Sequence, residues 1–202
     1  MTVDECRFDM TYKNTMSKLD YAIDKGLVDL AIVPWLKKYN KLDNTYTTSS
    51  CVGRILVLGL DEQGSKKPNL FVGKWHRTVK LKDVTEKLDN DKFDELWLKQ
   101  EPFILHLVVK NMDLAKKVLK AKFDAGIKRG GIISIKEGRI IIEIVGSSNL
   151  ATPVKINHKV IFNKRQLGKL VHKSNYKLKQ NYKQLKKFLG VLYKEMKNQK
   201  VQ

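Results

Sequence analysis

The period of the apolar residues changes along this chain, and the changes mark its elements. Met16, Leu19 and Ile23 recur at helical spacing before Gly26, which predicts a first helix stopping at that glycine. Ile32, Leu36 and Tyr39 share one face of a second helix after Asp29, and Pro34 fits only in its first turn. TYTTSSC (45–51) favours an extended conformation, and the β-branched, apolar run GRILVLGL (53–60) reads as a strand. DEQGSKKPN (61–69) is turn chemistry, and LFVGKW (70–75) reads as the returning strand. Val84, Leu88 and Trp97, set among acids and lysines, predict helix over 83–98. FILHLVVK (103–110) is a continuous apolar strand, and Leu114, Val118 and Ala121 share a face of a helix over 113–126 closed by Gly126. GIISIK (131–136) and RIIIEIV (139–145) flank Glu137-Gly138, a compact hairpin turn. Together these predict an α+β fold, a mixed β-sheet with helices packed against it.

The tail has a different character. Val171, Leu178, Leu185 and Leu192 recur every seven residues, with Tyr182, Leu189 and Met196 each four further on. One apolar stripe therefore runs along a lysine-covered helix. Residues 155–202 hold 14 Lys or Arg against one acid, a net +13, whereas the first 154 residues supply the remaining +6 of the +19 total. The expected organisation is an α+β body over 1–154 and a basic helical extension over 155–202 packed on it. Docking on the body accounts for the stripe, and a polyanion such as RNA accounts for the outer lysines, because cations that neutralise phosphates release counterions. A basic amphipathic helix could also lie on an acidic membrane. Ser174 and Asn181, which interrupt the stripe, argue against that.

Composition narrows the classes. With 42% hydrophobic and 30% charged residues the chain can bury a real core. It has no apolar run of bilayer length, and its acidic start, MTVDECRFDM, lacks a signal pattern, so a cytoplasmic protein without membrane attachment is expected. Cys6 and Cys51 make no disulfide framework. His76, His106, His158 and His172 lack metal-ligand spacing, so no metal is expected.

Candidate chemistry concentrates in three places. YTTSSCVGRI (46–55) strings four hydroxyls, a thiol, a glycine and a guanidinium together. Such a segment can hold a phosphate or a carboxylate, with Arg54 gripping either bidentately. A polar loop capping an apolar strand is the commoner explanation of such a run, and it matches neither a P-loop nor a serine-hydrolase elbow. Trp75-His76 offers a stacking ring and a proton acceptor, or simply a half-buried strand end. In EPFILH (101–106), Glu101 stands at a strand mouth, while His106 shares a face with Ile104 and Val108, where a hydrogen-bonded core histidine is the usual outcome. No GxGxxG follows a strand, so a Rossmann-type site is unsupported.

Taken together, SKLDYAIDKGLVD (17–29), YTTSSCVGRI (46–55), GKWH (73–76), EPFILH (101–106) and GIKRGGI (126–132) resemble the tRNA wybutosine-synthesizing protein 3 family, in order and spacing. That resemblance implies an S-adenosylmethionine-dependent methyltransferase acting on ring N-4 of the tricyclic wybutosine precursor, the base 3′ of the anticodon in phenylalanine tRNA. It points to Ser49, Ser50, Cys51, Gly53 and Arg54 for the methyl donor. Lys25, Trp75, Glu101 and His106 then meet the tRNA substrate, and His76 or Asp20 takes the N-4 proton; Asp29 also matches the N-terminal motif. The chain departs from the family pattern at Gly130, where a serine is expected, and at Val145 and Asn149. The alternative from another class is a non-catalytic tRNA-binding module serving other modification enzymes, and a nucleotide-phosphate enzyme using the serine run is a more distant one.

Overall fold

The computed structural model describes residues 3–60, 71–136 and 138–197, so the turn at 61–69, Leu70 and Glu137 lie outside the described residues. The chain divides into two compact units. The first takes residues 1–52, 103–147 and 183–202; the second takes 53–102 and 148–182.

The first unit contains helices α1 (Val3–Asp24), α2 (Val33–Tyr39) and α4 (Met112–Asp124) and strands β1 (Thr45–Cys51), β5 (Ile104–Val109), β6 (Arg129–Lys136) and β7 (Arg139–Val145). Its sheet runs β1-β5-β7-β6, with every neighbouring pair antiparallel. The predicted stop of α1 has a physical form: Gly26 has φ +66°, its N–H bonds to Ile23 O, and the Leu27 N–H reaches back to Ala22 O. Those paired bonds satisfy the last helical carbonyls, and only glycine takes that φ without strain. In α2 the proline sits in the first turn as expected, and Ile32, Leu36 and Tyr39 are fully buried. Asn111 caps α4 by accepting the Leu114 N–H, and Leu114, Val118 and Ala121 face β5 and β7. On the other face of the sheet, Phe8, Tyr12 and Met16 of α1 pack on Tyr46, Val108 and Ile141.

The second unit contains β2 (Arg54–Leu60), β3 (Phe71–Trp75), α3 (Leu81–Leu88), β4 (Glu95–Glu101), β8 (Leu150–Ile156) and β9 (Lys159–Val160). Its sheet runs β3-β2-β4-β8-β9, again antiparallel throughout. Ile55, Val57, Leu96, Leu98 and Val154 form the core with Val84 and Leu88 of α3 and Leu167, Val171 and Leu178. The helix expected over 83–98 is corrected here. It ends at Leu88, and ELWLKQE is a strand whose alternate residues Leu96, Leu98 and Gln100 point inward. Asp89-Asn90-Asp91 breaks the helix, and a period of two replaces the period of 3.6.

The last helix, α5, is a single run from Lys164 to Lys197, with its first part in the second unit and the remainder, from Lys183, in the first. Its buried stripe is Leu167, Val171, Ser174, Leu178, Asn181, Leu185, Phe188, Leu192 and Met196, spaced alternately by four and three as far as Leu192 and then by four. Ser174 and Asn181 thus belong to the buried stripe, while Tyr182 and Leu189 lie at its margin. The fold is α+β with a long basic C-terminal helix. Among the described residues no helix is long and apolar enough to cross a membrane.

Candidate functional site

In the first unit the site begins with an irregularity in β1. Thr47 pairs with Leu107, but the next paired residue is Ser49, opposite His106, so Thr48 is an inserted residue. Directly opposed residues share a sheet face, and an unbulged register would have set Thr48 against His106. The bulge is anchored from below. The buried Asn40 side chain accepts the Thr47 N–H at 3.0 Å through Oδ1 and donates from Nδ2 to Thr47 Oγ1 at 3.2 Å. Thr47 is therefore spent on structure, and the run of four hydroxyls does not act as one ligand cradle.

His106 in turn opposes Glu143 on β7. Ser49 Oγ lies 2.7 Å from His106 Nδ1, and His106 Nε2 lies 3.1 Å from Glu143 Oε2. The carboxylate can only accept, so in the neutral ring the proton sits on Nε2 and Nδ1 accepts from the Ser49 hydroxyl. A hydroxyl, an imidazole and a carboxylate thus form one hydrogen-bonded row across three strands. Ser49 is exposed, and the His106 and Glu143 side chains are 27% and 31% exposed, so a ligand can reach the row. Ser50 opposes Leu105 and faces the other side of the sheet; Cys51, opposite Ile104, returns to the side of Ser49. Asp29 accepts the Val52 N–H at 2.9 Å and so ties the segment after α1 to the end of this motif.

Glu143 opposes Gly131 on β6, and its neighbour Gly130 has φ +88°. A Cβ on Gly130 would run into the Glu143 carbonyl oxygen. This backbone accepts glycine alone, which accounts for the departure from serine at that position. Asp20 and Lys25 are both exposed, and among the described residues neither hydrogen-bonds to the row; the Lys25 ammonium lies 5.8 Å from the Tyr21 ring centre.

In the second unit Arg54 and Glu101 oppose each other at the ends of β2 and β4. Arg54 Nε donates to Glu101 Oε2 at 2.7 Å, Lys99 approaches Oε1 at 3.6 Å, and the guanidinium stands 5.3 Å from the Phe71 ring centre. Both members of the pair are about one-third exposed, so its electrostatic gain is modest. Gly53, just before Arg54, has φ +95°. Trp75 folds back over Gly73, where a Cβ would meet the indole, and packs against the core. The His76 carbonyl accepts from the Tyr182 hydroxyl at 2.8 Å.

Within their units, then, Ser49 and His106 come together, as do Arg54 and Glu101. The residue that sequence reasoning missed is Glu143. Its signal was available: it is the single acid in RIIIEIV, in phase with Arg139 on a strand of period two.

A relay-like row and a partly exposed cation–carboxylate pair suit group transfer that requires a proton to be removed. Comparison with known proteins identifies the class as a methyltransferase: the family described as "Methyltransferase TYW3" matches residues 11–194. A Thermococcus sibiricus protein named tRNA(Phe) 7-((3-amino-3-carboxypropyl)-4-demethylwyosine(37)-N(4))-methyltransferase is 32% identical, covering 93% of this chain and 95% of that one. A Methanocaldococcus jannaschii protein of the same name is 35% identical, covering 83% and 87%. A solved structure from Pyrococcus horikoshii superposes with TM-score 0.86 at 31% identity, covering 93% and 95%. The chain belongs to the TYW3 methyltransferase family.

Proposed function

We propose that this chain transfers a methyl group from S-adenosylmethionine to ring N-4 of the 7-(3-amino-3-carboxypropyl)-4-demethylwyosine base of tRNA(Phe). One observation carries the reading: a relative named for that reaction aligns over 93% of this chain and 95% of its own length. The same membership in a methyltransferase family sets aside the non-catalytic binding module.

The residues fit the donor. Its amino-acid end carries a carboxylate and an ammonium, and the Arg54–Glu101–Lys99 set holds two cations around one carboxylate, with a charge of each sign to offer. Gly53 leaves the backbone bare beside that set. Gly53, Arg54 and Glu101 form the proposed donor-holding set. When bound, S-adenosylmethionine supplies an electrophilic methyl group. As the bond from N-4 to the methyl carbon forms and the methyl–sulfur bond breaks, S-adenosylhomocysteine would leave as the neutral thioether, and the N-4 proton must leave. Ser49 Oγ accepts it while its own proton passes to His106 Nδ1, and the Glu143 carboxylate stabilises the imidazolium so formed. Orientation supplies the larger part of the rate, since displacement at a methyl group needs no covalent enzyme intermediate.

The test is incubation of the purified protein with labelled donor and tRNA(Phe) lacking only this methyl. One added methyl on the anticodon-loop fragment supports the reading, and an unmodified fragment at full donor occupancy rejects it. The same assay on His76→Ala, Asp20→Ala and His106→Ala decides between the row and the two residues expected from the motifs to take the proton.

A further inference from the structure

The hairpin of β6 and β7 carries Lys136 and Arg139, and α1 carries Arg7 and Thr11 one turn apart. With Phe8, these side chains line a cavity of about 380 Å³ in the first unit. Three of the five are cations. Among the described residues none of the three is paired with a carboxylate, whereas Arg77, Lys82, Lys116 and Lys120 all are. Like charges gathered without a counterion repel one another, and an anion relieves that repulsion.

A second, independent feature lies against two of the lining residues. Tyr46 is fully buried, and its ring meets Phe8 edge-on at 5.2 Å. Among the described residues its hydroxyl has no hydrogen-bond partner of good geometry. Burial raises the phenol above its ordinary range, and the nearby Arg139 guanidinium partly offsets this. A phenol raised above its ordinary range is neutral, so it leaves the charge of the Arg139 guanidinium uncompensated.

The cavity is also placed for RNA. Arg139, Ile141 and Glu143 are alternate residues of β7, so Arg139 and Glu143 share a sheet face roughly 13 Å apart. A nucleotide whose base reaches the Ser49–His106–Glu143 row has backbone phosphates within that range.

We infer that the Arg7–Lys136–Arg139 cavity binds a backbone phosphate of the RNA strand near the base being methylated. This rests on the proposed tRNA substrate. The two fork-shaped guanidinium groups suit a phosphodiester better than an isolated ammonium would.

The test compares tRNA(Phe) affinity and its salt dependence for wild type, the double variant Arg7→Gln/Lys136→Gln, and a control double variant Lys82→Gln/Lys116→Gln. All four substituted residues are exposed or nearly so, and Arg139→Lys is added as a milder change that keeps the charge. The cavity variant should bind tRNA roughly tenfold more weakly at low salt, with the slope of log affinity against log salt shallower by about 0.7 per lost phosphate contact. The control should stay within about twofold of wild type, and Arg139→Lys should fall between. Inorganic phosphate at millimolar concentration should compete with tRNA for wild type and less for the cavity variant. A cavity variant matching wild type in affinity and slope overturns the inference, as does a control that loses as much. If wild type itself does not methylate tRNA(Phe), it is the proposed function that fails, whatever the binding data give.

Discussion

Both sheets are antiparallel throughout, and the polar feature that stands out in each meets solvent in the opposite way. In the second unit the Lys155 ammonium is almost completely enclosed, yet it is held by Asn90 O at 3.0 Å and Leu88 O at 3.4 Å, carbonyls at and beyond the end of α3. A cation there complements the helix dipole and satisfies carbonyls that would otherwise be orphaned. In the first unit the polar row is only partly covered, and its terminal hydroxyl points to solvent. Polarity that is enclosed and satisfied is structural. Polarity kept in register across three strands but left open at one end is placed for a ligand.

The comparison can be broken most directly at Lys155. Lys155→Met should lower unfolding free energy by about 2–3 kcal/mol, because buried carbonyls lose their donor. Donor and tRNA affinities of the folded protein should not change, which denaturant titration alongside binding measurements would establish; a stable variant with impaired binding would reverse the assignment. Gly130→Ala should cost about 1–3 kcal/mol through its left-handed backbone and the collision with Glu143. It should also weaken methyl transfer in the fraction that folds, since the collision displaces the strand that holds the carboxylate.

Glu143→Gln sharpens the first unit's side of the comparison. An amide can offer its N–H to Nε2 and stabilise the wrong tautomer, so a ten- to hundredfold loss of kcat is expected, about 1.4–2.7 kcal/mol of barrier, with KM values near wild type. Glu143→Asp should recover part of it, an outcome that simple loss of structure would not give. The smallest effect belongs to Asp83 in the second unit, whose carboxyl is held below its ordinary range by the Lys80 N–H first and the Arg77 guanidinium next. A depressed pKa contributes stability above the unfolded carboxylate's pKa, and the contribution fades as pH falls through the folded value. Asp83→Asn should therefore lower Tm slightly at neutral pH and leave it unchanged below the carboxylate range.

Much of this architecture can be read from the sequence because its signals are local. Gly26 and Gly126 stop their helices, Pro34 opens one, and the apolar runs at 53–60 and 103–110 are strands. What escapes depends on partners distant in sequence. Trp97 sits among charges that mimic a helical face, and only pairing with β2 and β8 reveals a strand. β8 is concealed by Pro153, tolerated because β9 pairs only with Lys155 and Ile156 and leaves that part of β8 as an edge. Ser174 and Asn181 look like breaks in a stripe and are buried members of it. The candidate site divides in the same way. Ser49, Arg54, Glu101 and His106 are visible in their motifs, but the bulge that turns Ser49 toward His106 depends on Asn40, and Glu143 acquires a partner only through the β5–β7 register. Interleaved segments form the two units, so no single shift in composition marks them.

The central claim is that the Ser49–His106–Glu143 row takes the proton released when the base is methylated. Single-turnover methyl transfer by His106→Ala, at saturating donor and tRNA(Phe) and beside His76→Ala, addresses it directly. The row predicts a loss of about 10²–10⁴-fold for His106→Ala with both ligand affinities retained, and a much smaller change for His76→Ala. Wild-type turnover by His106→Ala, with the loss appearing at His76 instead, would contradict it.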